Sequence, residues 1–306
     1  MNFDKDLLGL KNLSKEQILY IIETAKNMKL LVNSNNKKSP HLHGKTIITL
    51  FYENSTRTRM SFELAAKYMS ANAANISVSN SSVAKGETLI DTGKTLDMMG
   101  TDIIIMRHGC SGAANLLAKN VNATVINAGD GMNEHPTQAL LDIYTILDNK
   151  NDIRNLKITI IGDIKHSRVA RSNIYGLTKL GAKVYIYAPD TLIPKDIEVT
   201  GVNIATNLQE AISNADVVMG LRIQKERQNA NLIPSIREYH HFYGINDEIL
   251  KLAKREVLIM HPGPVNRGVE FTSSVIDGKQ SLINEQVNNG VAIRMALLYI
   301  FTRRKK

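Results

Sequence analysis

Five donor side chains in a row, Ser55, Thr56, Arg57, Thr58 and Arg59, stand where an apolar run over 47–51 gives way to a helical pattern over 58–69. A helix begins with unpaired backbone N–H groups and a partial positive charge, so its first turn already favours an anion. One Ser or Thr suffices for a cap. The surplus of hydroxyl and guanidinium donors therefore predicts a cage for a phosphate-like anion rather than a capped, solvated basic turn.

Comparable residues follow the other apolar runs. Ser81, Ser82 and Lys85 come after the second, Arg107 and His108 after the third, and His135-Pro136-Thr137-Gln138 after the fourth. Further on, Arg168 follows Ile161-Gly162-Asp163, Arg222 and Gln224 follow Val218-Met219-Gly220, and His261-Pro262-Gly263-Pro264 follows Ile259-Met260. The set is rich in cations and neutral donors and poor in carboxylates and thiols. That suits holding an anion and polarising a carbonyl. It does not suit a Ser-His-Asp nucleophile, a carboxylate pair or a metal centre, and no metal or organic cofactor is expected.

The elements that must position these residues read as alternating strands and helices. Apolar, β-branched runs lie at 47–51, 75–78, 102–106, 123–127, 157–161, 183–188, 216–219 and 257–260. Helical patterns lie between most of them, at 58–69, 87–99, 137–147, 168–180, 208–214 and 247–253, with one more ahead, 15–31, and one at the end, 285–301. Continuous apolar strands alternating with amphipathic helices predict parallel sheets covered on both faces. Ligands of such sheets bind beyond the carboxyl ends of the strands. The expected fold is α/β, two doubly wound parallel-sheet domains with a shared interdomain cleft. Turn formers over 129–134 mark the boundary. The domains expected are 1–134 and 135–284, with the last helix, 285–306, packing back on the first.

Composition narrows the class. A length of 306 residues, 43% hydrophobic and 22% charged, fits a globular protein of about two domains. No apolar run reaches the roughly 20 residues that span a bilayer, and residues 1–6 lack a signal-peptide pattern. With one cysteine, Cys110, there is no internal disulfide, and a cytoplasmic location is expected. The net charge of +9 is spread over scattered lysines, which predicts a solvated basic surface rather than a nucleic-acid footprint. Gly129-x-Gly131 lacks the third glycine of a dinucleotide motif and reads as a plain turn. Gly44-Lys45-Thr46 lacks the upstream glycine of a phosphate loop. His41-x-His43 and His240-His241 read as surface histidines, and Met98-Met99 as core filler.

Ser55-Thr56-Arg57-Thr58-Arg59, with Met106-Arg107-His108, His135-Pro136-Thr137-Gln138 and His261-Pro262-Gly263-Pro264, resembles the carbamoyltransferase family in order along almost the whole chain. Ornithine-using members carry a His-Cys-Leu-Pro motif and an Asp-x-x-x-Ser-Met-Gly loop. Here those places read His261-Pro262-Gly263-Pro264 and Leu221-Arg222-Ile223-Gln224-Lys225-Glu226-Arg227, so the aspartate-using branch is the more similar. Gly263 and Ala84 depart from some relatives, which carry a larger apolar residue and a lysine there. Guanidinium forks match the two carboxylates of aspartate and would repel an ornithine side chain.

The resemblance implies transfer of the carbamoyl group from carbamoyl phosphate to L-aspartate in pyrimidine synthesis, with residues 1–134 binding carbamoyl phosphate and 135–284 aspartate. It implies that Ser55, Thr56, Arg57, Thr58, Ser81 and Arg107 hold the phosphate. Thr58, Arg107 and His135 would donate to the carbamoyl oxygen. Gln138 and the backbone around Pro262, Gly263 and Pro264 would hold the carbamoyl amino group. Lys85 would reach both substrates, and Arg168, Arg222 and Gln224 would hold aspartate; Arg57, Thr58, Lys85, Arg107 and His135 would be the catalytic residues. Ser81 and Lys85 would act in a neighbouring subunit's site, making a homotrimer the functional unit. Whether separate regulatory chains join two trimers stays open. The alternatives are another amino-acid acceptor such as ornithine, a non-catalytic relative and a nucleic-acid binder.

Overall fold

The run Thr46–Phe51 is apolar along almost its whole length, so only a strand flanked on both edges and covered on both faces can bury it. That strand, β1, pairs in parallel with β2 (Asn72–Ser77) on one side and β3 (Ile103–His108) on the other. The computed structural model describes residues 1–77, 86–224 and 232–303. The chain divides into two compact units, Met1–Leu141 with Val287–Lys306, and Asp142–Gln286.

In the first unit α1 (Lys15–Val32) precedes β1, followed by α2 (Thr56–Tyr68), β2, α3 (Leu89–Met98), β3, α4 (Ala113–Ala118), β4 (Thr124–Asp130) and the start of α5 (Pro136–Lys150). The second runs β5 (Lys157–Ile161), α6 (Arg168–Lys179), β6 (Lys183–Tyr187), β7 (Asn203–Ile204), α7 (Leu208–Ile212) and β8 (Val217–Gly220). It continues with α8 (Ile236–Tyr243), α9 (Asp247–Leu250), β9 (Leu258–Met260) and α10 (Ser273–Ile276). A closing helix, α11 (Ile283–Thr302), ends in the first unit, so the division between units falls inside α5 and α11.

Both sheets are wholly parallel. Their orders are β2-β1-β3-β4 and β7-β6-β5-β8-β9. The first sheet is built outward from β1 to β2 and then resumes at β3 on the opposite side of β1. The second does the same from β5, resuming at β8. Each sheet thus reverses its building direction once, between β1 and β3 and between β5 and β8. Such a reversal splays the following loops apart and opens a crevice at the carboxyl edge.

The cores follow from the strands. Ile48, Leu50, Ile104, Met106 and Val125 pack against Leu96, Ala114 and Leu117 from α3 and α4. In the second unit Ile161, Val218 and Ile259 pack with Ile212, Leu250, Phe271 and Val275. The outer edges of β4 and β9 are covered. Leu7 N–H donates to Val125 O at 3.0 Å and Leu7 O accepts from Asn127 N–H at 2.9 Å, beside β4. Along β9, Ile259 N–H donates to Gln280 O and Leu282 N–H to Ile259 O, both at 2.9 Å.

Several expectations change. Met98 and Met99 are 86% and 72% exposed, not core: the buried stripe of α3 is Thr92, Gly93 and Leu96, Met98 lies off it, and Met99 is already the C-cap. His240 is half-buried, its ring Nδ1 donating to Val269 O at 3.1 Å, whereas His41, His43 and His241 are exposed. Strand β2 starts at Asn72, three residues earlier than its β-branched signal, because an edge strand with exposed residues needs no apolar run. The two-residue β7 and the helices α4, α8 and α10 carry signals too short or too polar to read.

The loop between β4 and α5 is built on buried carboxylates. Asp130 accepts from Gly112 N–H at 2.7 Å, Asn127 Nδ2 at 2.8 Å and Glu134 N–H at 3.2 Å. Glu134 reaches the N-terminal segment, accepting from Leu10 N–H at 2.6 Å and Lys11 N–H at 3.3 Å. Gly9 leaves the room: a Cβ there would lie 2.1 Å from Glu134 Oε1. A glutamine in place of Glu134 could accept with one oxygen only. Glu134→Gln should cost about 1–3 kcal/mol in urea unfolding; a change below about 0.5 kcal/mol would show that the loop is held otherwise.

Candidate active site

The donor run lies where β1 hands over to α2. Ser55 is the N-cap in extended geometry, yet its hydroxyl makes no cap hydrogen bond, unlike Ser14, Thr88, Ser167, Asn207, Ser235 and Asn246 at other helix starts. Thr56, Arg57 and Thr58 form the first turn of α2. Arg57 and Thr56 are exposed, Ser55 half-buried, and Thr58 only 6% exposed. Arg59 is half-buried with Nε unpartnered among the described residues. Across the reversal, Phe51 is in register with Arg107, and Tyr52 N–H donates to Arg107 O at 2.9 Å. Adjacent strand ends therefore deliver Ser55–Thr58 and Arg107 to one edge. Arg107 is held by Glu53, whose Oε2 lies 3.3 Å from Nε, and donates through Nη1 to Ala128 O at 3.3 Å.

The next strand, β4, leads to His135, which is 4% exposed and immediately precedes α5. Its carbonyl accepts from Gln138 N–H at 3.1 Å and Ala139 N–H at 3.2 Å, so the backbone does the capping. The ring Nδ1 lies 3.5 Å from Thr137 Oγ1. Gln138 is in the same first turn and 8% exposed. His108 is of another kind: its Nδ1 accepts from Cys110 N–H at 2.9 Å. Burial holds its pKa below the ordinary value, against the pull of Glu53 and Asp130. Ser81, Ser82 and Lys85 lie outside the described residues.

The second unit repeats the plan. Arg168 is the first residue of α6 and 2% exposed, with Ser167 as a side-chain cap accepting from Ala170 N–H at 3.1 Å. Across the reversal, Arg222 and Gln224 follow β8, both half-buried. The two loops touch. Leu221 N–H donates to Ile161 O at 2.7 Å, and a Cβ on Gly162 would lie 2.6 Å from Leu221 O, at a φ of +130° that side chains rarely adopt. After β9, the turn His261-Pro262-Gly263-Pro264 is locked by its own ring, with Gly263 N–H donating to His261 Nδ1 at 2.9 Å and Gly263 at φ +66°.

Helices α2 and α6 share an electrostatic oddity. Each has arginine in its first turn and no acid there, whereas α1, α3, α7, α8 and α9 carry an acid. A cation at the positive end of a helix is unfavourable by about 0.3–1 kcal/mol. An anion placed between helix end and guanidinium reverses the sign. Among the described residues no group of three or more His, Cys, Asp or Glu could hold a metal ion, and no helix is long and apolar enough to cross a membrane.

Comparison with known proteins agrees with this layout. Residues 5–148 match the carbamoyl-P binding domain of aspartate/ornithine carbamoyltransferases, and residues 154–301 match the Asp/Orn binding domain. The chain belongs to the aspartate/ornithine carbamoyltransferase family. It is 68% identical to the aspartate carbamoyltransferase catalytic subunit of Acetivibrio thermocellus over 98% of this chain and 96% of that one. The catalytic subunit of Ruminiclostridium cellulolyticum is 69% identical with the same coverage. Among solved structures, aspartate transcarbamoylase from Trypanosoma cruzi with N-(phosphonacetyl)-L-aspartic acid matches at a TM-score of 0.88 and 32% identity, over 96% of this chain and 94% of that one. Ornithine carbamoyltransferase from Pyrococcus furiosus matches at 0.86 and 31%, covering 96% and 95%. Backbone likeness is thus shared with both branches, and the acceptor has to be argued from side chains.

Sequence reasoning missed the carboxylates that hold the family's strand-end loops in place. Glu270, 3% exposed, accepts from Ile223 N–H at 3.1 Å, between Arg222 and Gln224, and from Asn266 N–H at 2.8 Å and Nδ2 at 2.9 Å. Burial raises its pKa despite those three donors. Asp163 accepts from His166 N–H at 3.1 Å and Nδ1 at 2.7 Å in the loop ending at Arg168. A lone acid in a loop has no local signature; only the Asp163-x-x-His166 spacing could have hinted at one of them. Gly162→Ala should lower stability by about 1–3 kcal/mol in urea unfolding, because the added methyl must part the β5 and β8 loops. A neutral substitution would show that the loops are free to separate.

Proposed function

We propose that the chain transfers the carbamoyl group of carbamoyl phosphate to the amino group of L-aspartate, giving N-carbamoyl-L-aspartate and phosphate. The activity is that of an aspartate carbamoyltransferase, as in the two catalytic subunits compared above. One observation carries the choice of acceptor: arginine stands on both sides of the reversal in the second unit, Arg168 after β5 and Arg222 after β8. Two guanidinium groups match two carboxylates and would repel an ornithine ammonium.

Each residue then has a role. Ser55, Thr56, Arg57, Thr58 and Arg107 hold the phosphate, with Ser81 from a neighbouring subunit. Gln138 and the backbone at Pro262, Gly263 and Pro264 hold the carbamoyl amino group. Arg168, Arg222 and Gln224, with Lys85 from the neighbour, hold aspartate. The deprotonated amine attacks the carbonyl carbon, and the carbonyl electron pair moves onto oxygen. Thr58, Arg107 and His135 donate to that oxygen. Thr137 Oγ1, 3.5 Å from Nδ1 of His135, steadies the ring for a donation through Nε2. The tetrahedral adduct collapses as the bond to the phosphate oxygen breaks. Phosphate leaves with that electron pair and accepts the amine's proton. Preorganised donors count most at this step, and holding both substrates in line supplies a further share of the rate.

The site roles assigned to Ser81 and Lys85 make the functional unit a homotrimer; nothing in the mechanism requires regulatory chains. With carbamoyl phosphate, the purified chain should turn over aspartate and not ornithine, and ornithine activity alone would overturn the choice of acceptor. His135→Ala should lower kcat by about 10²–10³ with little change in KM; an unchanged kcat would remove His135 from the carbonyl. Mixing inactive Arg57→Ala and Lys85→Ala chains should restore activity, since hybrid trimers contain intact sites. No recovery after verified subunit exchange would contradict the shared site.

A further inference from the structure

The second unit holds a hollow that none of these roles uses. It lies between α6 and the segment 194–200 and holds about 200 Å³ of room. An apolar cavity of about 150 Å³ already takes a benzene ring. Its apolar lining is Ile164, Ile174 and Ile197, which are 3%, 2% and 8% exposed. Arg171 and Tyr175 join Ile174 from one face of α6, at the i, i+3, i+4 spacing that brings side chains together. Lys195 stands across from them on the facing segment.

The charges are what distinguish this hollow from an ordinary gap between helix and loop. The Arg171 and Lys195 side chains are exposed, and neither forms a hydrogen bond or ion pair with any described residue. Asp196 also lines the hollow, so two cations face one acid and leave a single positive excess. An apolar lining with an unpaired cationic rim fits a ligand that is apolar at one end and anionic at the other. Arg168 precedes Arg171 by one turn of α6 but is buried and does not line the hollow, so the site is separate from the proposed aspartate donors.

We propose that this hollow is a second small-molecule site, for an anion with an apolar body of the aryl carboxylate or aryl phosphate class. The guanidinium of Arg171 and the ammonium of Lys195 bind the anionic group, and the ring rests on Ile164, Ile174 and Ile197.

Methyl NMR on isoleucine-labelled full-length protein tests this directly, because three of the lining residues are isoleucines. The protein is first saturated with N-(phosphonacetyl)-L-aspartate, so that the strand-end donors are occupied, and then titrated with benzoate, phenyl phosphate and neutral benzyl alcohol. Expected are saturable shifts of the Ile164, Ile174 and Ile197 methyls with at least one anion, with Kd near or below about 1 mM. Preference between benzoate and phenyl phosphate identifies the anionic group. Arg171→Gln with Lys195→Gln should weaken binding at least about tenfold; both residues are exposed, so the fold should tolerate the change. The proposal is overturned by no saturable shift up to about 20 mM, by benzyl alcohol binding as well as the anions, or by unchanged affinity in the double variant.

Discussion

A helix that starts with arginine and no acid sets its own dipole against its side chains, and both helices that follow the central strands of these sheets do so. In α2 the cation is Arg57, close to Ser55, whose hydroxyl caps nothing; in α6 it is Arg168, buried at the first position. In the proposed mechanism the anionic substrates offset that conflict. The rest of the fold serves to keep these helix ends at the sheet reversals, next to Arg107 in one unit and Arg222 in the other.

Negative charge is present near these places but is spent on the backbone. Asp130 and Glu134 accept from N–H groups of the β4 loop and the N-terminal segment. Asp163 accepts from His166, and Glu270 from Ile223 and Asn266. Glu53 is the exception, facing Arg107 at 3.3 Å and setting its direction. The hydrogen bonds of Asp163 and Glu270 hold the loops that carry Arg168 and Arg222, and in the proposed mechanism preorganised donors count most at the reacting step.

Much of this was legible in the chain. Continuous β-branched runs marked β1, β3, β4, β5, β6, β8 and β9 to within a few residues, and the strand ends in turn marked where Arg57, Arg107, His135, Arg168, Arg222 and His261 would stand. Edge elements were harder. Strand β2 begins in polar Asn72-Ala73-Ala74, and β7 is two residues long. Helix α8 hides behind His240, His241, Phe242 and Tyr243, all weak helix formers, although Ser235-x-x-Glu238 was a usable capping signature. The link from Glu270 to the β8 loop could not be read, because Ile223 is 47 residues away and the local partner Asn266 carries no distinctive signature.

Affinity for N-(phosphonacetyl)-L-aspartate, which joins a phosphonate to a dicarboxylate, tests the central claim most directly. Calorimetric titration of the unaltered chain and of Arg57→Ala, Arg168→Ala and Arg222→Ala should show tight binding weakened about tenfold to a hundredfold or more by each change, as expected for losing a charge-assisted contact. Binding left within about twofold by any of the three would contradict the proposal that these arginines hold the anionic groups of the substrates.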